Sequence, residues 1–495
     1  MQRRDNMSTE TKLSDLIPIW NTLKTATRIT YELGKGAWWL ADKAMPKPKS
    51  KPQVENSFAE ILHRCPSGVV FGKHPDKFIS LGIEIDKYVA KPETLDGHVL
   101  VVGGVGSGKS SCIAIPTLRK FRNSVFVIDI KGELHKETFP NRWWANRGLE
   151  QCVKKFNPAD KYIAFGYDPY HPLYFSKNPA QEARAIAQAI IPLPPDIKDP
   201  FWIESAQNIF TASILHYFGQ GLSFLDTIRQ IQGLSPTELI AELCEGEGRY
   251  FVGSMLNIDE KVLSSIVAEI SKNVVHFVTD KNLIRALSKK NNITPADLEY
   301  GYDIYIQIPE HLLRQWKNLL TLIVNQFLSH FEQRSEINAQ PILFLLDEFP
   351  RLGKINAIID GLATLRSKKI TICLIIQSLA QLDLIYGMNE RKVIADTCSY
   401  KAILSATDAE TQEYFSRLVG TYDKEVTQRG TQSSPFIEFP KGKSTNTYEQ
   451  EKRIIKPEEF ATLKDIVLLT PYGNLKVKKQ PYYLNDRKKD EKKKR

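Results

Sequence analysis

The stretch VLVVGGVGSGKSSCIAI, residues 99–115, decides the fold. Val99 to Val102 form an apolar run that reads as a buried strand. GGVGSGKS (103–110) then matches the phosphate-binding pattern G-x-x-x-x-G-K-[ST] at Gly103, Gly108, Lys109 and Ser110. Glycines let successive backbone N–H groups turn inward around a polyphosphate, and the helix that follows adds its positive end. The nucleotide-binding candidates are Gly103, Gly104, Val105, Gly106, Ser107, Gly108, Lys109, Ser110 and Ser111. Lys109 is expected to bridge β- and γ-phosphates, and the Ser110 hydroxyl to ligate Mg²⁺. Pro116 falls in the second turn of the predicted helix and should kink or shorten it.

A second stretch, ILFLLDEFPRLGKI (342–355), ends a continuous apolar run on Asp347 and Glu348. An unpaired buried carboxylate costs several kcal/mol, roughly, so a positive partner is required. Mg²⁺ carried by a nucleotide in the glycine loop supplies it. In P-loop ATPases an acidic residue at the tip of a neighbouring strand holds the metal, a role that falls to Asp347. Glu348 is then the general base for the attacking water. Gln377 ends the strand ITICLII and can position water or sense the γ-phosphate. Arg366, in LATLRSKKI, is open to two readings: a solvated arginine, or a finger reaching a neighbouring subunit's nucleotide. Asp129 ends SVFVIDI before KGE and serves either the same edge or a structural turn.

The runs VLVVGG (99–104), SVFVIDI (124–130), DIYIQIP (303–309), ILFLLDE (342–348), ITICLIIQ (370–377) and SYKAIL (399–404) alternate with helical patterns. Continuous apolar strands separated by helices predict an α/β fold with a mainly parallel sheet covered on both faces. From about 180 to 295 strand signal gives way to helical patterns such as WIESAQNIFTASILHYF, which predicts an inserted all-α domain. RGTQSSPFIEFPKGKSTNT (429–447) reads as a polar loop. DIVLLTPYGNLKVKKQPYYL reads as a C-terminal hairpin turning near Gly473-Asn474.

The chain has 495 residues, 42% hydrophobic and 25% charged, ordinary for a globular protein of two or three domains. Its net charge of +10 resolves into +4 over residues 1–55, +7 over 474–495 and −1 over 56–473, so the body is near neutral. The tail NDRKKDEKKKR reads as solvated, with nucleic acid or acidic lipid as alternative contacts. The six cysteines form no CxxC pair, which argues against zinc and redox motifs and for a reducing, intracellular setting. No run approaches the roughly 18 to 20 apolar residues that span a bilayer, and no signal peptide is recognisable. Ile17, Trp20, Leu23, Trp38 and Leu40 predict amphipathic helices before the stiff linker MPKPKSKP. They pack on the body or a partner, or lie on a membrane surface.

GGVGSGKSSCIAIPTL, SVFVIDIKGELHKET, FNP at 156–158, PFWIESA at 200–206, LLDEFPRLGKI and IIQSLAQLDLIYG resemble, in this order, the coupling ATPases of type IV secretion, the conjugative DNA-transfer coupling proteins. The resemblance covers roughly residues 66–484. It implies a RecA-like P-loop NTPase domain in two parts, 57–179 and 296–484, around an all-α domain at 180–295. An N-terminal arm and linker (1–56) precede these parts, and a basic tail (485–495) follows them. It implies ATP and Mg²⁺ as cofactors, ATP held between subunits of a hexamer, and Arg366 as the finger in trans. The implied function is translocation of single-stranded DNA or a DNA–relaxase complex to a secretion channel. The implied partners are relaxosome or accessory proteins at the all-α domain and the channel's own ATPases. Many family members begin with transmembrane helices. This chain is expected to depart from them: either residues 10–45 dock on a separate membrane subunit, with the protein cytoplasmic and recruited to the inner face of the membrane, or the protein works as a soluble form. A receptor for secreted proteins that only switches on ATP is the alternative.

Overall fold

The computed structural model describes residues 58–80, 83–145, 152–194, 197–431, 443–484 and 486. The expectations for the N-terminal arm, including residues 10–45, and for all of the basic tail but Asp486 fall outside them.

A nine-stranded sheet organises the chain. Its strands, numbered along the sequence, are β1 (Val99–Val102), β2 (Val125–Ile128), β3 (Val153–Phe156), β4 (Asp303–Ile306), β5 (Ile342–Leu346), β6 (Ile370–Ile376), β7 (Tyr400–Ile403), β8 (Ile466–Thr470) and β9 (Gly473–Val477). Across the sheet they run β9-β8-β7-β1-β6-β5-β2-β4-β3. From β7 to β3 every pairing is parallel; only the β7–β8 and β8–β9 pairings are antiparallel, β8 and β9 forming an edge hairpin. The doubly covered parallel sheet is the one expected.

Period-two alternation divides the apolar side chains between two cores. Leu100, Val102, Phe126, Ile128, Phe344 and Leu346 point into one. Val99, Val101, Val125, Val127, Leu343 and Leu345 point into the other, with Ile113 and Leu118 from the helix after the glycine loop.

Among the described residues, every helix or strand between β3 and β4 is a helix, from His171 to Glu299. Side-chain caps start several of them: Asn178, Ser223, Ser235, Asp259 and Asp280 each accept an amide N–H at the N-terminus. This helical insertion does not own a separate core. Ile186, Ile209, Phe210, Ile266 and Ile270 belong to the same apolar cluster as Phe126 and Phe344. The bridge is the helix Leu313–Glu332, whose Trp316 donates to Asp280 at 2.9 Å and Asn318 to the Ile190 carbonyl at 2.8 Å.

Four local readings change. The edge strand β3, VKKF, gave no sequence signal because two lysines fill its four positions. The segment 429–447 is not simply a loop: Thr421–Thr431 and Lys443–Arg453 pair as a long antiparallel ribbon. Its polar, Thr- and Gln-rich strands lack the apolar alternation that announces a hairpin. The C-terminal hairpin turns at Pro471-Tyr472, since Thr470 already pairs with Gly473. A small antiparallel sheet, Leu62–His63, Val69–Lys73 and Tyr88–Lys91, also went unforeseen.

Candidate functional site

The candidate side chains other than Arg366 lie where β1, β2, β5, β6 and β7 end, the crevice edge of an open parallel sheet. Register alone brings them together: Val102 is level with Ile376 and Ile403, and Ile128 with Leu346.

The glycine loop leaves β1 with Gly103 donating its N–H to the Ile376 carbonyl at 3.1 Å. Gly106 and Gly108 hold φ of 73° and 98°, a region where a side chain would be strained. A Cβ on Gly103 would lie 2.4 Å from the Ser107 hydroxyl oxygen. That hydroxyl is buried and, among the described residues, has no partner. From Lys109 the chain winds as a π-helical turn to Ala114, and an α-helix restarts at Ile115–Lys120. Pro116 thus occupies an N-terminal turn, where its missing N–H costs nothing. The helix is short because the chain turns extended at Phe121, not because of the proline.

Lys109 is 8% exposed and donates to the carbonyls of Gly103 (2.5 Å) and Gly104 (3.1 Å). Burial pulls its pKa down, against the pull of Glu348 and Asp347. Lys109 is a buried cation satisfied by the carbonyls of its own loop. Ser110 and Ser111 are half-buried beside it.

Asp347 and Glu348 end β5 at 4% and 6% exposure. Burial, then the neighbouring Glu348, pushes the Asp347 carboxyl up to about 6. The Glu348 backbone stands at φ 50°, ψ 39°, left-handed and costing about 1–2 kcal/mol for a residue with a Cβ. Gln377 Nε2 donates to Glu348 Oε2 at 3.0 Å, and Lys131 Nζ lies 3.4 Å from Oε1. Oxygen donors alone, the Ser110 hydroxyl and one carboxylate, suit Mg²⁺, which takes one or two carboxylates, phosphates and waters. Among the described residues no group of three or more His, Cys, Asp or Glu could hold a metal ion. The oxygen donors present fit Mg²⁺ shared with the phosphates of a nucleotide.

Asp129 takes the structural alternative. Its carboxylate accepts the N–H groups of Leu134 (3.2 Å) and His135 (2.8 Å), capping the helix Glu133–Ala145, and Gln307 Nε2 at 3.0 Å. Arg366 lies away from the other candidates. It is exposed and precedes β6, whereas Gln377 follows it. The seven residues of β6 put about 20 Å between those ends. Two participants escaped the sequence. Ser405, just beyond β7, accepts the Gly104 N–H at 3.0 Å, and Lys131 pairs with Glu348. Only the adjacency of β7 to β1 and of β2 to β5 brings them in.

A family model described as Type IV secretory system Conjugative DNA transfer matches residues 49–495. The Protein VirD4 of Rhizobium radiobacter is 27% identical over 401 residues, covering 78% of this chain and 57% of that one. This chain thus spans a little over half the length of that relative. Two solved structures of the plasmid coupling protein TrwB share the fold. The complex with the ATP analogue ADPNP has a TM-score of 0.62 at 16% identity, covering 88% of this chain and 96% of TrwB. The complex with ADP and Mg²⁺ has a TM-score of 0.61 at 17% identity, covering 78% and 85%. Similarity at this level establishes the RecA-like architecture with its helical insertion.

Proposed function

This chain belongs to the type IV secretory system conjugative DNA-transfer family, and on that premise we propose that it is an ATP-hydrolysing coupling protein. It recruits single-stranded DNA, or a DNA–relaxase complex, and drives it toward a secretion channel. One observation carries the reading: a glycine loop with a buried lysine faces an acidic pair across one strand of the same sheet edge. Binding alone needs the loop; turnover needs the pair.

In this reading Lys109 and the amides of residues 103–111 hold the triphosphate. Ser110 and Asp347 would hold Mg²⁺, which would supply charge neutralisation at the phosphates. Glu348 accepts the proton of the attacking water, which Gln377 orients. The ligands named in the TrwB complexes, an ATP analogue and ADP with Mg²⁺, support ATP and Mg²⁺ here. Arg366, about 20 Å from its own chain's Gln377, acts on a neighbour's nucleotide, which requires assembly into a ring. The helical insertion contacts relaxosome proteins. Membrane recruitment runs through residues 10–45 and a separate subunit; among the described residues no helix is long and apolar enough to cross a bilayer.

The near-neutral body, −1 over residues 56–473, favours a second reading as an ATP-switched receptor for secreted proteins. ATP hydrolysis by the purified chain, with and without single-stranded DNA and with Glu348→Gln as blank, separates the two. DNA stimulation that fades steeply with salt supports the motor. Turnover indifferent to DNA but responsive to relaxase supports the receptor.

A further inference from the structure

We propose that Lys131 is a switch on Glu348 that responds to the γ-phosphate of the bound nucleotide. The inference rests on the reading of Glu348 as general base.

Both carboxylate oxygens of Glu348 are engaged, Oε2 by Gln377 and Oε1 by Lys131. In that arrangement each oxygen already accepts a donor, and the donor on Oε1 is a cation. The two contacts differ in kind. Gln377 extends directly from the end of β6. Lys131 stands three residues beyond Ile128, on the loop leaving β2, with its ammonium on a flexible stem and 49% of the side chain exposed. The ammonium end is half open to water and its contact is long, so a stronger anion nearby can draw it away.

Such an anion is due at this spot. The charge of Lys131 already bears on Asp347 and on Lys109, the two residues that flank the phosphate site. A terminal phosphate presents about twice the charge of a carboxylate and three acceptor oxygens. Its arrival draws Lys131 from Oε1 to a phosphate oxygen. The released Oε1 then takes the proton of the water as its oxygen bonds to phosphorus and the bond to the ADP oxygen breaks. A diphosphate leaves Lys131 on Glu348 and the base occupied. The lysine therefore serves as positioning residue for the base and as discriminator between ATP and ADP.

The test measures binding of ADPNP and of ADP to the full chain and to Lys131→Ala and Lys131→Arg, by calorimetry, beside thermal melting. Loss of one charge-assisted contact to the terminal phosphate should cut the ADPNP-to-ADP affinity ratio by roughly tenfold in Lys131→Ala, with ADP affinity nearly unchanged. Lys131→Arg should restore most of the ratio. A ratio unchanged in Lys131→Ala, whether or not the melting temperature falls, overturns the inference and leaves a structural ion pair. Glu348→Gln keeps the two readings apart. Near-normal turnover there overturns the base itself, whereas lost turnover with an unchanged Lys131→Ala ratio overturns the switch alone.

Discussion

Lys109 and Glu348 are each held by neighbours in an arrangement that the proposed hydrolysis would have to undo. The lysine ammonium is tied to the loop carbonyls of Gly103 and Gly104, and the glutamate to Gln377 and Lys131. Lys109→Ala should therefore fold normally, since it removes a buried charge with its partners still peptide-bound, yet lose nucleotide affinity by about a hundredfold. Calorimetry with ADPNP checks this. Glu348→Gln keeps the shape and the Gln377 contact but removes the base. Turnover should fall by about 10²- to 10⁴-fold with ADPNP affinity little changed. Equal loss of binding and turnover would mean that the carboxylate holds the nucleotide rather than the proton.

The elements that present these side chains depend on polar contacts the apolar pattern does not announce. Asp129 caps the helix Glu133–Ala145 and anchors Gln307, so Asp129→Ala should cost about 1–2 kcal/mol in urea unfolding. At the opposite edge, His98 Nδ1 accepts the Ile372 N–H at 3.0 Å and so ties the start of β6 to β1. Burial pushes the His98 pKa down to about 3. Between roughly pH 6.5 and 3 the unfolded chain binds a proton that the folded chain refuses, so this group's contribution is lost as pH falls through that window. His98→Gln should flatten the decline in stability from pH 7 to pH 5 relative to the native chain. A parallel decline in both would remove His98 from the account.

At the scale of the whole molecule, the sheet sets a distance of about 20 Å between Gln377 and Arg366. Arg366→Ala should depress turnover several-fold in assembled protein and leave dilute monomer unaffected, as sedimentation beside turnover would reveal. Arg366 dependence in a monomer would sink the trans arrangement. The insertion shares a core with the sheet through the helix Leu313–Glu332, so isolating residues 180–295 should yield a fragment that unfolds more readily than the intact chain. Urea unfolding of the fragment, followed by circular dichroism, tests that.

The sequence alone determined the features written in consecutive residues. The glycine loop, the apolar strands ending in Asp347, Glu348 and Gln377, and the helical stretch after β3 are local patterns whose physics needs no partner. β3 stayed hidden because it is a short edge strand in which two half-buried lysines separate its only apolar residues, Val153 and Phe156. The ribbon of residues 421–453 stayed hidden because its stability lies in cross-strand pairing rather than side-chain alternation. Tertiary structure decided everything that depends on strand order. Placing β6 between β1 and β5 lets Gln377 touch Glu348, and placing β2 beside β5 brings Lys131 onto the same carboxylate. Lys131 and Glu348 are 217 residues apart along the chain. Their attraction acts over a few ångströms, so no reading of neighbours in sequence reports it; only the packed sheet does.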